Sequence, residues 1–465
     1  MIRPSRVLRQ WSSCVLLVAL TGCMPPRQPP PTEANVAPPA QWRDAPGRKT
    51  EISANWWAAF GDSQLTALVE AALANNTDVL SAASRVEQAR EQIRLSRAAL
   101  LPTLDAALGA QRTRELSVLG IAHTTARQPS LQVSYEVDIW GRLRRLRDAA
   151  RLQYQASEAE RDAVRLAVAA TTARAYVSLL SLDRQLYVTR ETVDSRQQAL
   201  RVAEDRASLG YTSQLELSQA QSEYEAAAQL LPQLQQAIRE QEHALRLLIG
   251  ELPGPAQRGE AFTALHSPPV PQALPSELLR RRPDIHQAEL LLAASDINLQ
   301  AQRDRFLPQV QLSASIGLLF VNSLDYDPVR VWDLGASVLA PIFNAGRLEA
   351  GVNIATAQRD QAAFAYRAAA LQAFSDVEDS LSAVGNLQQQ IERVEARRAV
   401  LERSLTYAED RYRAGYSSYI ETLDAQRNLF NTELTAVQLR ENQINTLIGL
   451  YQVLGGGWQQ PAAEH

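Results

Sequence analysis

The sequence predicts a mainly helical chain that also carries a membrane β-barrel portion, built from one unit of strands and very long coiled-coil hairpins written twice. Three observations predict it. The first is a repeat. "AEDRASLGYTSQLELSQAQ" (Ala203–Gln221) returns as "AEDRYRAGYSSYIETLDAQ" (Ala408–Gln426), offset by 205 residues without a gap and identical at 10 of 19 positions, where chance gives about one or two. Asp78–Pro102 likewise aligns with Asp284–Pro308, and the Gly-Arg-Leu at Gly141 recurs at Gly346. This spacing is far longer than a solenoid repeat, so a whole architecture is duplicated. The second is a run of 68 residues, Arg142–Leu209, with neither Gly nor Pro. It is rich in helix formers, and Leu179, Leu186, Val193, Leu200 and Ala207 fall at coiled-coil spacing. Such a helix is about 100 Å long. Its duplicate, residues 347–414, is interrupted only by Gly351 and Gly385. The third is strict alternation. Leu131, Val133, Tyr135, Val137 and Ile139 share one strand face, and Val310, Leu312, Ala314, Ile316 and Leu318 share another.

From the N-terminus, Arg3, Arg6 and Arg9 precede a short apolar run that ends in Leu20-Thr21-Gly22-Cys23. Residues 1–22 therefore read as a secretory signal. The last four resemble a bacterial lipobox, which implies cleavage before Cys23 and acylation of that thiol. Met24, rather than Asp, follows the cysteine, which in the sorting pattern this resembles favours the outer membrane. Losing three arginines takes the net charge from −4 to −7. With Cys14 gone, Cys23 is the last cysteine, so neither a disulfide nor a cysteine metal site is expected. Residues 23–50 are the acylated cysteine and a Pro-rich tether, extended rather than folded.

The first repeat is 51–255, the second 256–457, and 458–465 is a tail. Each opens on a helix, the first with Val79, Ala82, Ala83, Val86, Ala89 and Ile93 on its apolar spacing. Each helix stops at a Leu-Pro pair, Pro102 or Pro308. Strands are expected at about 103–113 and 128–139, then 308–320 and 332–341, with loops over about 114–127 and 321–331. After each long helix comes a Gly-Tyr-x-Ser turn and a returning helix, about 213–249 and 418–454, the first kinked by Pro232. No later stretch of 18 apolar residues is expected to cross a membrane as a helix.

Four strands of this length suit a bilayer. They cannot close a barrel alone, and their open edges cannot face lipid. Two copies would give a barrel filled by side chains; three give twelve strands with room for a lumen. Three copies also gather the hairpins into a twelve-helix conduit. No basic surface suggests nucleic acid, and no P-loop, dinucleotide fingerprint, zinc motif or nucleophile elbow appears, so no enzyme is expected. His123, His243, His266, His286 and His465 are scattered without metal spacing. The Arg280–Asp284 charge run reads as a helix start.

"WWAAFGDSQL" (Trp56–Leu65), "YEVDIWGRLR" (Tyr135–Arg144), "LLRRRPDIHQAE" (Leu278–Glu289) and "RYRAGYSSYIETLDAQ" (Arg411–Gln426), with the lipobox, span essentially the whole chain. Together they resemble the TolC-like outer membrane factor family, in its efflux lipoprotein branch. The resemblance implies a homotrimer anchored in the outer membrane of a Gram-negative bacterium by lipid on Cys23. A helical tunnel would extend into the periplasm. A periplasmic adaptor protein would couple it to an inner-membrane pump of the RND type exporting small molecules, with no cofactor beyond the lipid. A type I protein secretion channel and a structural periplasmic coiled-coil lipoprotein are the alternatives.

The Gly-Tyr-x-Ser turns would lie at the periplasmic tip. Gly210 and Gly415 can take positive φ, and Ser213-x-x-Glu216 and Ser418-x-x-Glu421 both read as capping boxes. Leu209, Gly210, Tyr211 and Thr212, with Ala414, Gly415, Tyr416 and Ser417, form the expected adaptor-docking tips. Asp424 shares a helix face with Glu421, whereas its duplicate is Gln219. The family implies that acidic rings at Glu421 and Asp424 close the tunnel, and that Tyr412 pairs with the carboxylate at Glu216. Ser417 departs from the pattern, which has a basic gating residue there. Hydrogen bonds through Ser417 or Tyr412 are the expected substitute.

Overall fold

The computed structural model describes residues 29–43, 52–117, 120–271, 275–322 and 328–460. Cys23, the signal segment and most of the tail lie outside them. The order of elements is α1 (Ser63–Asn75), α2 (Thr77–Ala98), β1 (Thr103–Ser117), β2 (Gly120–Val137), α3 (Arg142–Ser208), α4 (Gln214–Ala228), α5 (Leu230–Leu248), α6 (Pro275–Arg281), α7 (Pro283–Arg303), β3 (Gln309–Val321), β4 (Val329–Leu339), α8 (Arg347–Arg413) and α9 (Tyr419–Val453). Two compact units share the long helices. One holds the sheet with residues 84–158 and 287–368; the other holds 36–83, 159–286 and 369–465.

In the first unit the four strands form one antiparallel sheet in the order β1-β2-β3-β4. Strand β1 reaches Ser117 and β2 begins at Gly120. Residues 114–117 and 120–127 of the expected loop are therefore strand; Arg114, His123, Thr125 and Arg127 interrupt the apolar alternation there, which is why the segment reads as loop. Register aligns the faces: Leu104 lies opposite Val133, Leu131 opposite Ile316, and Ile316 opposite Trp332. One face is thus apolar across all four strands. The other carries Asp105, Gln132, Glu136, Ser313 and Asp333. Below the sheet, Arg145 pairs with Asp304, and Trp140 Nε1 donates to the Pro308 carbonyl at 2.6 Å. The described part of the tether, residues 29–43, is held to α8: Arg359 donates to the Pro29 carbonyl at 3.2 Å and Arg367 to the Asn35 carbonyl at 3.0 Å.

In the second unit α3 packs through its heptad seam, with Leu179, Leu186 and Val193 all buried. A window of α3 reaches a mean hydropathy of 1.2, unlike the sequence expectation, but half of it is buried. Ala169, Ala170, Ala173 and Val177 supply that hydropathy as coiled-coil core. The helix after the first tip breaks at Gln229, between α4 and α5. Pro232 lacks the N–H that would bond the Ala228 carbonyl, so the break falls one turn before it. Pro283 opens α7, where a missing N–H costs nothing. Arg282 beside it holds Asp284 at 2.7 Å and Asp376 at 3.2 Å, so the arginine run is indeed structural.

In the Trp56–Leu65 segment Trp56 stacks on Tyr451 and meets Trp57 and Phe60 edge-on, and Asp62 fastens the segment to its neighbours. Its Oδ1 caps α1, accepting from Gln64 N at 2.7 Å and Leu65 N at 3.1 Å. Its Oδ2 accepts from Tyr176 Oη at 2.8 Å and Glu260 N at 3.1 Å. One buried carboxylate thus ties α1, α3 and the 256–265 segment together. Burial, with the hydrogen bond to Asp62, pushes the Tyr176 phenol well up, so it remains a donor. Asp62→Ala is expected to destabilise the protein by about 2–3 kcal/mol, through a lost cap and stranded donors. Chemical denaturation of the detergent-solubilised protein checks this; an unchanged midpoint would contradict it.

Candidate functional site: the paired helical tips

Each long helix ends the same way. Gly210 has φ +77° and Gly415 φ +79°, in the left-handed region open to glycine. Tyr211 N donates to the Arg206 carbonyl at 2.8 Å and Gly210 N to Ala207 at 3.1 Å; Tyr416 N donates to Arg411 at 2.9 Å and Gly415 N to Tyr412 at 3.0 Å. These are two Schellman closures. They leave Leu209, Tyr211 and Tyr416 projecting, with both tyrosines 81% exposed. Ala414 is exposed too, while Thr212 and Ser417 are half-buried.

The two tips are joined beneath the turns. Ala203, Ala220, Tyr419 and Leu423 form a small core, with Leu200, Leu217 and Tyr412 against it. Tyr412 Oη donates to Glu216 Oε1 at 2.5 Å, and Thr212 donates to the other oxygen. The Arg206 guanidinium stands 5.0 Å over the Tyr412 ring, and Tyr412 and Tyr419 meet at 5.2 Å.

This geometry corrects both capping boxes. Ser213 Oγ does accept from Glu216 N at 3.2 Å, but the Glu216 carboxylate turns to Tyr412 instead of back to the cap. Ser418 makes no side-chain cap bond. Glu421 faces Arg411 at 3.7 Å, in an exposed pair. Asp424 is exposed and, among the described residues, its side chain bonds only within its own helix, accepting from Asn428 Nδ2 at 3.2 Å. The Ser417 hydroxyl is buried without a hydrogen-bond partner.

A triad above the tips escaped the sequence reading. Glu223 is buried and receives Arg427 Nε at 2.8 Å. Arg196, also buried, reaches its carboxylate at 3.3 Å and its carbonyl at 2.7 Å. The signal was present: Arg196 lies three residues after Val193, a charge on a coiled-coil seam. Removing one partner of such a triad strands a buried charge.

Burial raises the Tyr419 phenol to about 12. Burial and the Glu216 hydrogen bond raise that of Tyr412. The neutral phenol is the form the fold prefers. Its contribution is therefore complete below the ordinary tyrosine value near 10 and is lost as pH rises through the raised one. Tyrosinate absorbance from these two residues is expected only above the ordinary tyrosine range. In Tyr412→Phe one late step should disappear; a titration curve left unchanged by that substitution would contradict the packing.

The fold and these tips define a class: outer membrane channel proteins that join a sheet to long helical hairpins. The family model described as outer membrane efflux protein matches residues 68–251 and 274–456, and the chain belongs to this family. It is 35% identical over 460 residues to the pyoverdine export outer membrane protein OpmQ of Pseudomonas aeruginosa, covering 96% of each chain. It is 32% identical over 459 residues to the cation efflux system protein CusC of Escherichia coli, covering 96% of this chain and 98% of that one. Among solved structures it superimposes on the Campylobacter jejuni CmeC outer membrane channel with a TM-score of 0.86, covering 95% of this chain and 96% of that one at 24% identity. This chain is an outer membrane efflux channel, located in the outer membrane.

Proposed function

We propose that three copies of this chain assemble into a continuous conduit, a twelve-strand barrel above a twelve-helix tunnel. Through it an inner-membrane pump of the RND type, coupled by a periplasmic adaptor, exports small molecules. The observation that carries the reading is the sheet: four strands with one apolar face and two unpaired edges, β1 and β4. A bilayer leaves no partner for those edges except another copy. Acylation of Cys23 would add a lipid anchor on the periplasmic side of the barrel.

In this reading the doubled tips, Leu209–Thr212 and Ala414–Ser417, offer six similar docking points per trimer to adaptor hairpins. Glu216 and Tyr412 fasten the two hairpins of one protomer. Glu421 and Asp424, exposed within the protomer, are free to line the axis, where three Asp424 carboxylates would narrow the tunnel. With the Ser417 hydroxyl buried inside the protomer, the Tyr412–Glu216 hydrogen bond is the contact that stands in for a basic gating residue.

The polar sheet face with Asp105, Glu136 and Asp333 lines the lumen. Planar-bilayer recordings of heat-resistant trimers are therefore expected to show a cation-selective channel. In Asp424→Ala the single-channel conductance should rise. An unchanged conductance in an inserted trimer would remove Asp424 from the constriction, and a non-conducting, urea-extractable protein would remove the channel reading itself.

A further inference from the structure

The register sorts every charge in the sheet by face. Even-numbered residues of β1, odd-numbered residues of β2, and even-numbered residues of β3 and β4 share the apolar face. All the arginines of the four strands, Arg112, Arg114, Arg127 and Arg330, lie on that face. All the acids of the strands, Asp105, Glu115, Glu136 and Asp333, lie on the opposite one. The four arginines are exposed, and none forms an ion pair among the described residues. Lysine and arginine on a lipid-facing surface are costly at mid-bilayer and nearly free at its boundary, so their height decides what they meet.

That height follows from the strands. Arg127 stands ten residues from Val137 and Arg114 ten residues from Leu104, each on the same face as its counterpart. Ten residues span about 33 Å, which the usual barrel tilt reduces to about 25 Å, the height of an outer-membrane apolar band. Arg114 and Arg127 thus stand where the hydrocarbon ends, toward the hairpin end of the sheet; Arg112 and Arg330, eight residues from Leu104 and Val338, stand about 20 Å up, just inside it, and exposed Leu116 and Ile121 lie beyond on the same face. The other end differs: Trp140, Ile342 and Phe343 are exposed there. Arg127 pairs with Ala110, diagonal to Arg112, a separation of about 7–8 Å. Arg112 and Arg114 are similarly spaced along β1. Guanidinium forks at this spacing match phosphate oxygens in geometry as well as charge.

We infer that Arg112, Arg114, Arg127 and Arg330 form a belt that binds the phosphates of the diphosphorylated glycolipid in the outer leaflet, lipid A. The inference rests on the strands spanning the outer membrane as proposed above. A lipid is favoured over free phosphate because the belt adjoins exposed Leu108, Leu131 and Trp332, which acyl chains can cover and an inorganic ion cannot.

Native mass spectrometry of the full trimer, released from neutral detergent, tests it with purified diphosphoryl lipid A, monophosphoryl lipid A and phosphatidylglycerol. Diphosphoryl lipid A is expected to bind most tightly, and excess inorganic phosphate should not displace it. The R112Q/R114Q/R127Q/R330Q variant should lose about tenfold in lipid A affinity, about 1.4 kcal/mol, with conductance unchanged. Equal binding of phosphatidylglycerol, displacement by inorganic phosphate, or undiminished binding by a folded quadruple variant would each overturn the belt. If the variant does not fold, the three-lipid comparison on the unaltered protein decides. Failure of the channel reading shows separately, as absent conductance in the unaltered trimer.

Discussion

The constraint on which the rest of the structure depends is the hydrogen bonding of a sheet edge. Strands β1 and β4 each present a row of unpaired N–H and C=O groups. In water such an edge invites pairing; in hydrocarbon each unsatisfied group costs several kcal/mol. A chain with four strands cannot satisfy them by itself. Association is thus a condition of residence in the membrane. The same condition ties the number of helical hairpins to the number of strands, because each repeat delivers two strands and one hairpin from one continuous stretch of chain.

Duplication supplies economy and leaves room for division of labour. The two tips share their turn chemistry down to the Schellman bonds and the positive φ of Gly210 and Gly415. They diverge in what lies beside the turn. Ala207 stands where the second copy has Tyr412, and Gln219 where it has Asp424. The first copy offers the acceptor, Glu216, and the second the donor, Tyr412. The acid is common to both copies, as Glu216 and Glu421, so the divergence that makes this bond is the phenol at Tyr412 where the first copy has Ala207. The triad of Arg196, Glu223 and Arg427 repeats the logic one layer up, with its central acid from the first copy's returning helix and one arginine from the second's.

Much of this was legible in the sequence because it rests on periodicity. The heptad at Leu179, Leu186 and Val193, the alternation through Leu131–Ile139 and the 205-residue offset are properties of the chain alone. The apolar face of the sheet could be read strand by strand. What periodicity alone could not supply is where partners meet: the Tyr412–Glu216 pair was expected only through the family resemblance. The strands outrun their alternation toward the hairpin end, where Arg112, Arg114 and Arg127 sit at apolar-face positions, so the pattern looks like loop. Glu216 and Glu421 both satisfy the capping-box spacing, yet one turns to Tyr412 and the other to Arg411. Spacing along one helix says nothing of a competing donor on another.

The tips illustrate why such competition matters. A capping box satisfies an orphan N–H and contributes about 1 kcal/mol wherever the helix happens to be. A carboxylate turned instead to a phenol on a second hairpin does something a cap cannot, since it holds two helices in register. Glu216 gives up half its cap for that purpose, and the burial of Tyr412 and Tyr419 keeps the donor protonated across the ordinary pH range. The Asp424 carboxylate, by contrast, bonds among the described residues only within its own helix, at Asn428. Within one protomer it has nothing to hold, which leaves it available to the axis that three protomers would create. The closing of such a tunnel would then depend on a residue whose partners exist only in the assembly, while the stability of each hairpin pair depends on residues whose partners are already in the chain.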